Sequence, residues 1–485
     1  MKLTDLLRSL PEKKIYGPVD KEVSGIAYDS RRLNSGDLFI AIRGLQSDGH
    51  QYIPEAIAAG AAAVVVDREE IYGSVTTIQV NDSRKALAQL SARWFDHPAR
   101  KLRLVGITGT DGKTTTAYLV HALLREAGYG AGLIGTVVTR IGRNDLPSSY
   151  TTPESLELHQ ALADMVSQGD TFAVMEVSSH ALAMDRVFDI SFELALFTNL
   201  SRDHLDFHGD FEHYRDAKAL LFERLHGSRA RAVINLDDPS ASFFRDRTSV
   251  PVITFSAEGA ADVSLKSARL TMEGTDIEVQ TPSGLLQMHT HLPGRYNVFN
   301  VLAAVGAGVA LDLEPTAIRR GLEGIGGVDG RFETIPARQG FTVIVDYAHT
   351  PQALQRLLSA IQEMSPQRVV LIFGCGGDRD RGKRPEMADV ASQLADMVLL
   401  TTDNPRSEDP LAILREVQRG ILPGTAYEVL PDRRDAIRRG LELVKPGEVL
   451  VVAGRGHERY QVVDSERRPF QDREVVLEEL ERIEH

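Results

Sequence analysis

The chain has 485 residues, too many for one hydrophobic core and enough for about three domains. Hydrophobic residues make up 42%, charged residues 25%, and 55 Lys+Arg against 68 Asp+Glu give a net charge of −13. These values fit a soluble globular protein and argue against a non-specific nucleic-acid or membrane-surface role, while the single cysteine, Cys375, excludes an internal disulfide and fits a reducing compartment.

The opening MKLTDLLRSLPEKK has no continuous apolar stretch and no small-residue cleavage site, so no secretory signal is expected. No apolar run approaches the length needed to span a bilayer. A cytoplasmic monomer that binds no nucleic acid and inserts into no membrane is the expectation. Up to about residue 100, short β-like runs (DLFIAI, AAAVVVD, TTIQV) alternate with helical stretches such as IPEAIAAG. HPARK, at residues 97–101, brings a proline and basic residues just before a strand and marks a boundary. From there to residue 331, βα units dominate: LRLVGIT, FAVMEV, LALFTNL and RAVINL are apolar runs with a polar or charged residue at or next to the end. A β-rich insertion with turn glycines interrupts them (PVITFSAEG, DVSLKSARLTMEG, DIEVQTPSG, LQMHTHLPG). The glycine-dense GIGGVDGR, residues 324–331, reads as a second linker. Beyond it FTVIVDYAH, RVVLIFGCGG, MVLLTTDNP and GEVLVVAGRGHE alternate with helices, which predicts a parallel sheet with right-handed crossovers. The fold class is α/β, with domains at 1–99, 100–331 and 332–485.

The stretch LRLVGITGTDGKTTTAYLVHALL, residues 102–124, runs strand, glycine turn, lysine, helix. A standard phosphate loop, G-x-x-x-x-G-K-[ST], would need glycine at Ile107, so this is a tighter variant. Gly109 and Gly112 let backbone N–H groups face an anion, and the helix beginning near Lys113 adds its positive end. Lys113 can bridge the β- and γ-phosphates, and the Thr114 hydroxyl is placed to hold Mg²⁺. Such a site needs an acid. TFAVMEVSSH delivers Glu176 to a strand's C-terminal end, and in ALFTNLSRDHLDFHG a second strand is followed by Asp203, His204 and Asp206. At least one of these is expected to be a metal ligand.

In HYRDAKALLFERL, Lys218 lies on a helix, where a solvated lysine is the plain reading. Asn297 and Asn300 lie three apart on one helix face, and Asn297 can equally be a helix cap. TTDNPRSEDP, residues 401–410, follows strand MVLL and precedes a helix, with Ser407 or Asp409 available as its cap. Asn-Pro there is an ordinary turn signal, and Arg406 offers a fork that pairs bidentately with a carboxylate. GCGGDRDRGK follows a strand, but no G-K-[ST] follows its glycines, so it is not a second phosphate loop.

GTDGKTTT, MEVSSH, NLSRDHLD, GRYNVFN and DYAHTP, in that order, closely resemble the Mur ligase family, ATP-dependent amide-bond-forming enzymes of peptidoglycan precursor synthesis. The resemblance spans essentially the whole chain. It implies an N-terminal UDP-binding domain, a central P-loop-type ATPase domain and a C-terminal Rossmann-like domain. ATP would phosphorylate a substrate carboxylate, and an amine would attack the acyl phosphate. The resemblance assigns Thr108, Gly109, Thr110, Asp111, Gly112, Lys113 and Thr114 to ATP. Asn300 would lie near the adenine, Arg331 near the phosphates and Asp346 near the ribose. Thr114 and Glu176 would serve one Mg²⁺ and His204 a second, while Lys218 corresponds to a lysine carbamylated by CO₂. Lys113, Glu176, His204 and Lys218 form the catalytic set, and His349 and Pro351 complete the DYAHTP turn.

AYDSRRLNSGDLFIAIRGLQSDGH resembles the nucleotide-sugar domain of members that add the third peptide residue. It implies contacts to UDP from Tyr28, Ser30, Leu45, Gln46 and Ser47, although Ser30 can equally form a local turn. Tyr150, Thr151, Thr152, Ser178 and Arg186 match positions that hold the muramoyl-dipeptide. Tyr150 stands where asparagine is often found and Met184 where glutamine is found. D-N-P-R (Asp403, Asn404, Pro405, Arg406) is the sequence of members that add diaminopimelate, whose second carboxylate needs a cation that lysine does not. Arg379, Gly454 and Glu458 match the other contacts to this amino acid, and Arg455 replaces a more usual lysine. The implied partners are UDP-N-acetylmuramoyl-L-alanyl-D-glutamate, meso-2,6-diaminopimelate and ATP with Mg²⁺. The alternatives are a lysine-adding ligase, a folate polyglutamate ligase sharing the ATPase core, and a nucleotide-binding scaffold that has lost catalysis.

Overall fold

The computed structural model describes residues 1–44, 47–148, 150–464 and 466–484, and divides into two compact units. One comprises Met1–Ser264 with Leu302–Ile318; the other comprises Leu265–Val301 with Arg319–His485. Among the described residues no helix is long and apolar enough to cross a membrane.

The first unit opens with a five-stranded sheet: β1 (Lys14–Tyr16), β2 (Ile26–Ala27), β3 (Leu38–Ile40), β4 (Ala63–Val66) and β5 (Thr76–Gln79), in the order β1-β5-β4-β3-β2. Only β1 runs antiparallel to its neighbour. β3 and β4 are buried along their whole length, as continuous apolar runs covered on both faces should be. Next come β6 (Arg103–Thr108), β7 (Ala131–Ile134), β8 (Val138–Ile141), β9 (Asn144–Pro147), β10 (Phe172–Glu176), β11 (Leu194–Phe197), β12 (Arg231–Asn235) and β13 (Val252–Ser256). Their order is β13-β12-β11-β6-β10-β7-β8-β9, and β6 is parallel to both β10 and β11. The strand order reverses around β6, so the loops leaving β6, β10 and β11 emerge together at one edge, where open α/β sheets bind ligands. Helix α1 (Lys113–Glu126) follows β6, and α2 (Phe211–Glu223) precedes β12.

The second unit contains the hairpin β14 (Gly274–Thr281) and β15 (Gly284–Thr290), paired antiparallel. Its main sheet has β16 (Glu333–Pro336), β17 (Thr342–Asp346), β18 (Val369–Phe373), β19 (Met397–Leu400), β20 (Tyr427–Val429) and β21 (Val449–Ala453). The order is β16-β17-β21-β18-β19-β20, parallel except at β16. A separate hairpin, β22 (Tyr460–Val463) with β23 (Glu466–Pro469), follows β21. Two apolar layers cover the main sheet: Leu354, Leu358, Met387 and Leu414 on one face, Ile437, Leu441 and Val476 on the other. The parallel sheet expected after residue 332 is therefore present, bordered by one antiparallel edge strand.

Beside the end of β21 lies a fully buried ion pair. Arg433 Nε and Nη2 donate to Asp472 Oδ1 and Oδ2, both at 2.7 Å, and Nη2 also donates to the Ala453 carbonyl at 3.1 Å. It ties the start of helix Asp472–Glu484 to the strand end that leads into Gly454. Removing one partner strands a charge in low dielectric. Asp472→Ala should lower the unfolding free energy by about 3 kcal/mol or more, read as an earlier urea transition of this unit by fluorescence or hydrogen exchange.

Candidate active site

In the first unit the site forms where β6, β10 and β11 end side by side. After Thr108 the chain turns through Gly109, Thr110, Asp111 and Gly112, and α1 starts at Lys113 with Gly112 in the left-handed region. The turn rests on the segment after β11. Thr110 N donates to Asn199 O at 2.9 Å, Asp111 N to Asn199 Oδ1 at 3.0 Å, and Thr198 Oγ1 to Asp111 O at 2.7 Å. At Gly109 φ is +147°, and a Cβ would stand 1.9 Å from Thr198 Oγ1, so only glycine fits.

Glu176, the fully buried last residue of β10, accepts from Thr114 Oγ1 at 2.9 Å and Thr136 Oγ1 at 3.1 Å through Oε2. Its Oε1 accepts from Thr136 N at 2.7 Å. Carboxylate and hydroxyl oxygens meeting at a strand end are the hard donors that Mg²⁺ prefers. Opposite them, two amines share one carbonyl oxygen. Lys113 Nζ donates to Gly109 O at 3.0 Å and to Thr110 O at 2.7 Å, while Lys218 Nζ, from α2, donates to Gly109 O at 2.6 Å. Lys218 is buried rather than solvated. Burial, and then the charge of Lys113, hold its amine well below the ordinary lysine range and favour the neutral form. Tyr214, one helical turn earlier, places its ring 4.5 Å from Lys218 Nζ and its hydroxyl 3.0 Å from Thr110 Oγ1. His204 has φ +53° and packs edge-on against His180 at 4.7 Å, with Nε2 3.4 Å from Asp203 Oδ2. Burial lowers its pKa, opposed by Asp203. Among the described residues no three His, Cys, Asp or Glu side chains converge as a metal-holding group. The expected metal set contains only Glu176 and His204 of those types, completed by Thr114 and Lys218; as an ammonium Lys218 does not fit a cation site, and as a carbamate it does.

Two of the muramoyl-dipeptide candidates, Thr151 and Thr152, lie beside Glu176. Thr152 Oγ1 donates to Glu176 O at 2.8 Å, and Thr151 Oγ1 lies 3.0 Å from Thr136 Oγ1. Ser178 caps the short helix Ser179–Ala183, accepting from Ala181 N at 3.2 Å. Arg186 Nη1 donates to Thr152 O at 2.9 Å, its Nε lies 2.8 Å from Glu154 Oε1, and its guanidinium covers the exposed Tyr150 ring at 5.4 Å. Its carboxylate partner in this structure is thus Glu154. Tyr28 donates to Glu157 Oε1 at 2.8 Å and Ser30 Oγ to Glu55 Oε2 at 3.3 Å, while Ser47 O accepts from Gly44 N at 2.8 Å. Leu45 and Gln46 lie outside the described residues.

In the second unit the loops leaving β18, β19 and β21 meet. Gly377 N donates to Asn404 O at 2.9 Å, and a Cβ at Gly377 would stand 1.9 Å from Pro405 O, so the two backbones are in contact. Arg406 has φ +53° and donates from Nη1 to Gly377 O at 2.6 Å. The strand β22 straps this segment. Gln461 Nε2 donates to Asp403 O at 2.6 Å, Val462 N to Asn404 Oδ1 at 2.8 Å, Arg406 N to Val462 O at 3.0 Å, and Asp464 N to Arg406 O at 2.9 Å. Asn404 Nδ2 donates to Glu458 Oε2 at 2.7 Å, and the Glu458 carboxyl is pushed up by burial and then by Asp403. Arg455 is fully buried, donating to Asn404 Oδ1 at 2.9 Å and Phe470 O at 3.0 Å; it is a structural member of the network. Arg379 is exposed. Gly454 follows β21 with φ +114°. Asp409, not Ser407, caps the following helix Pro410–Gln418. Asp346 ends β17 and accepts from Phe332 N and Ala348 N, each at 2.7 Å, and burial raises its pKa against the pull of Arg331. Arg331 stands over the Tyr347 ring at 4.7 Å. Asn300 Nδ2 donates to Asn297 Oδ1 at 2.8 Å, and Asn297 Nδ2 to Pro293 O at 2.7 Å, so the Asn297 amide binds a carbonyl rather than capping N–H groups.

Family models match three segments: Mur ligase family, catalytic domain, at residues 22–95; Mur ligase middle domain at 107–308; and Mur ligase, glutamate ligase domain, at 330–456. A protein of Bacillus velezensis is 43% identical over 98% of both chains, and one of Syntrophomonas wolfei is 40% identical over 99% of both. The chain belongs to the Mur ligase family. Both relatives bear the name UDP-N-acetylmuramoyl-L-alanyl-D-glutamate–2,6-diaminopimelate ligase. So does a solved structure that is 31% identical over 99% of both chains with a TM-score of 0.70.

The Mur ligase motifs marked most of the groups brought together here, but not Thr136, Tyr214 or the strap Gln461–Asp464, none of which stands in a chemically conspicuous run. Gly109→Ala should weaken ADP binding by at least about tenfold, because the added Cβ pushes the turn off Thr198; calorimetric titration with ADP checks it.

Proposed function

We propose that this Mur ligase joins meso-2,6-diaminopimelate to UDP-N-acetylmuramoyl-L-alanyl-D-glutamate at the expense of ATP, as a cytoplasmic monomer. The observation that carries the substrate choice is the Asp403–Arg406 segment, held rigidly beside Glu458 with a guanidinium at its tip. The names of the full-length relatives support the same reading. The functional division at 1–99, 100–331 and 332–485 is supported by the three matched segments.

A carboxylate is a poor electrophile, and phosphorylation by ATP gives it a leaving group. The incoming amine attacks the acyl carbon, the tetrahedral intermediate expels phosphate, and the amide forms as the amine loses its proton. The protein's work is to hold two anions together. The N–H groups of the 109–112 turn and the start of α1 receive phosphate oxygens, with Lys113 turned from the loop carbonyls toward them. Thr114 and Glu176 would hold Mg²⁺, with His204 and a carbamylated Lys218 serving a second ion. A bound Mg²⁺ supplies charge neutralisation between the phosphates and the substrate carboxylate. The depressed basicity of Lys218 suits carbamylation: the neutral amine adds to CO₂, forms the N–C bond and releases one proton. Asn300, Arg331 and Asp346 are assigned to ATP, and Tyr28, Ser30, Leu45, Gln46, Ser47, Tyr150, Thr151, Thr152, Ser178 and Arg186 to the nucleotide-dipeptide, on the family resemblance. For Arg186 this requires exchange of Glu154 for the substrate carboxylate. Arg406 takes the distal carboxylate of diaminopimelate, Glu458 its ammonium, and Arg379 and Gly454 make other contacts to the same amino acid.

Phosphate release with UDP-muramoyl-dipeptide, ATP and Mg²⁺ should depend on meso-diaminopimelate and not on L-lysine. Arg406→Ala should raise KM for diaminopimelate roughly tenfold to hundredfold, the loss of a charged hydrogen-bond pair. Release with lysine in preference to diaminopimelate, or an unchanged preference in Arg406→Ala, overturns the assignment. Lys218→Ala should lose most activity and regain part of it with added short carboxylic acids; no rescue counts against the carbamate.

A further inference from the structure

Glu408 lies two residues beyond Arg406 and bears none of the assigned contacts, yet its carboxylate collects the loop leaving β18. Oε1 accepts from Asp378 N at 2.6 Å and Arg384 Nη2 at 2.8 Å; Oε2 accepts from Arg381 Nη2 at 2.8 Å and Arg384 Nη1 at 3.0 Å. Hydrogen bonds from Arg384 and then Arg381 hold its pKa down to about 2. Arg384 is fully buried and is also held by Glu416 at 2.7 Å and by Gly376 O at 3.2 Å. A second tie, Ser407 Oγ to Asp378 Oδ1 at 2.8 Å, runs parallel on the surface. These bonds fix the turn at 376–378 against Pro405 and Arg406, and Arg379 is the next residue along that turn.

We propose that Glu408 is the positioning residue of the amino-acid subsite: it sets the spacing of Arg379 and Arg406, and through them the preference for an amino acid with a distal carboxylate. The inference rests on the assignment of those two arginines to diaminopimelate. Glu408→Gln preserves shape but cannot preserve the bonding. Its amide nitrogen must face either Asp378 N–H with Arg384 or Arg381 with Arg384, donor against donor, and the turn shifts. The substitution also removes one negative charge from a balanced group, two arginines against Glu408 and Glu416. On charge alone it would strengthen capture of a carboxylate and lower KM; on geometry it raises KM. The sign therefore separates positioning from a field effect.

The test is phosphate release by the full chain, titrating meso-diaminopimelate, L-lysine and ATP separately. For Glu408→Gln the expected result is a KM for diaminopimelate raised about tenfold. Selectivity over lysine should fall by a similar factor, with KM for ATP changed less than about twofold. A diaminopimelate KM that is unchanged or lower, or one that rises in step with KM for ATP, overturns the proposal. Ser407→Ala, which disturbs no buried charge, should raise the same KM about threefold; it decides the matter if a melting curve shows Glu408→Gln unfolded, an unchanged KM then overturning the proposal. A wild-type chain that does not turn over diaminopimelate refutes the parent assignment instead, and is told apart because it precedes any comparison of variants.

Discussion

The carbonyl oxygen of Gly109 receives both Lys113 and Lys218. Two ammonium groups at one acceptor repel, and only one of them is buried in α2 against the sheet. Burial separates them: Lys113 is only half-buried, whereas Lys218 is buried, and that burial lowers its proton affinity. The turn at 109–112 and the buried lysine are thus tied together through the same oxygen. Tyr214 reinforces the arrangement. Thr110 Oγ1 accepts from Ser201 N and lies 3.2 Å from Ser201 O, so when its own proton goes to that carbonyl the Tyr214 hydroxyl is the donor toward it.

The second unit solves a related problem with different means. Strand ends of a parallel sheet bring loops together without fixing them, since each loop leaves on its own. Here Gly377 lets two backbones touch, β22 hydrogen-bonds to the 403–406 segment from one side, and Glu408 pulls the neighbouring turn in from the other. Arg406 is left with backbone on both flanks and φ +53°, a conformation costly for a side chain with a Cβ. Its three backbone and side-chain bonds, to Val462, Asp464 and Gly377, over-determine that geometry.

The parts legible in the sequence are those set by short-range constraint. Strand, glycine turn and helix around Lys113 follow from local chemistry, and the alternation after residue 332 gives a parallel sheet. Burial of Lys218 was not legible, because an isolated amphipathic helix does not say which lysine faces a sheet; only the resemblance pointed to it. Nor was the pairing of Arg186 with Glu154, or the choice of Asp409 over Ser407 as cap, since each turns on a competitor for the same group: Glu154 for the guanidinium, Asp378 for the Ser407 hydroxyl. Arg455 shows the converse. Its motif position suggested charge at the site, whereas burial commits that charge to Asn404 and Phe470.

That commitment explains why so many charges lie inside this unit. Buried ion pairs contribute little net stability once desolvation is counted, yet Arg433, Asp472 and Arg455 form one connected group with Asn404 and Glu458. An apolar filling of the same volume would pack as well and would leave Asn404 free to rotate. The directional donors instead fix both ends of its amide, one on Glu458 and one on Arg455 and Val462. Orientation of a few polar groups, rather than cohesion, is what these buried charges contribute, and the same logic applies to the half-buried carboxylate of Glu408.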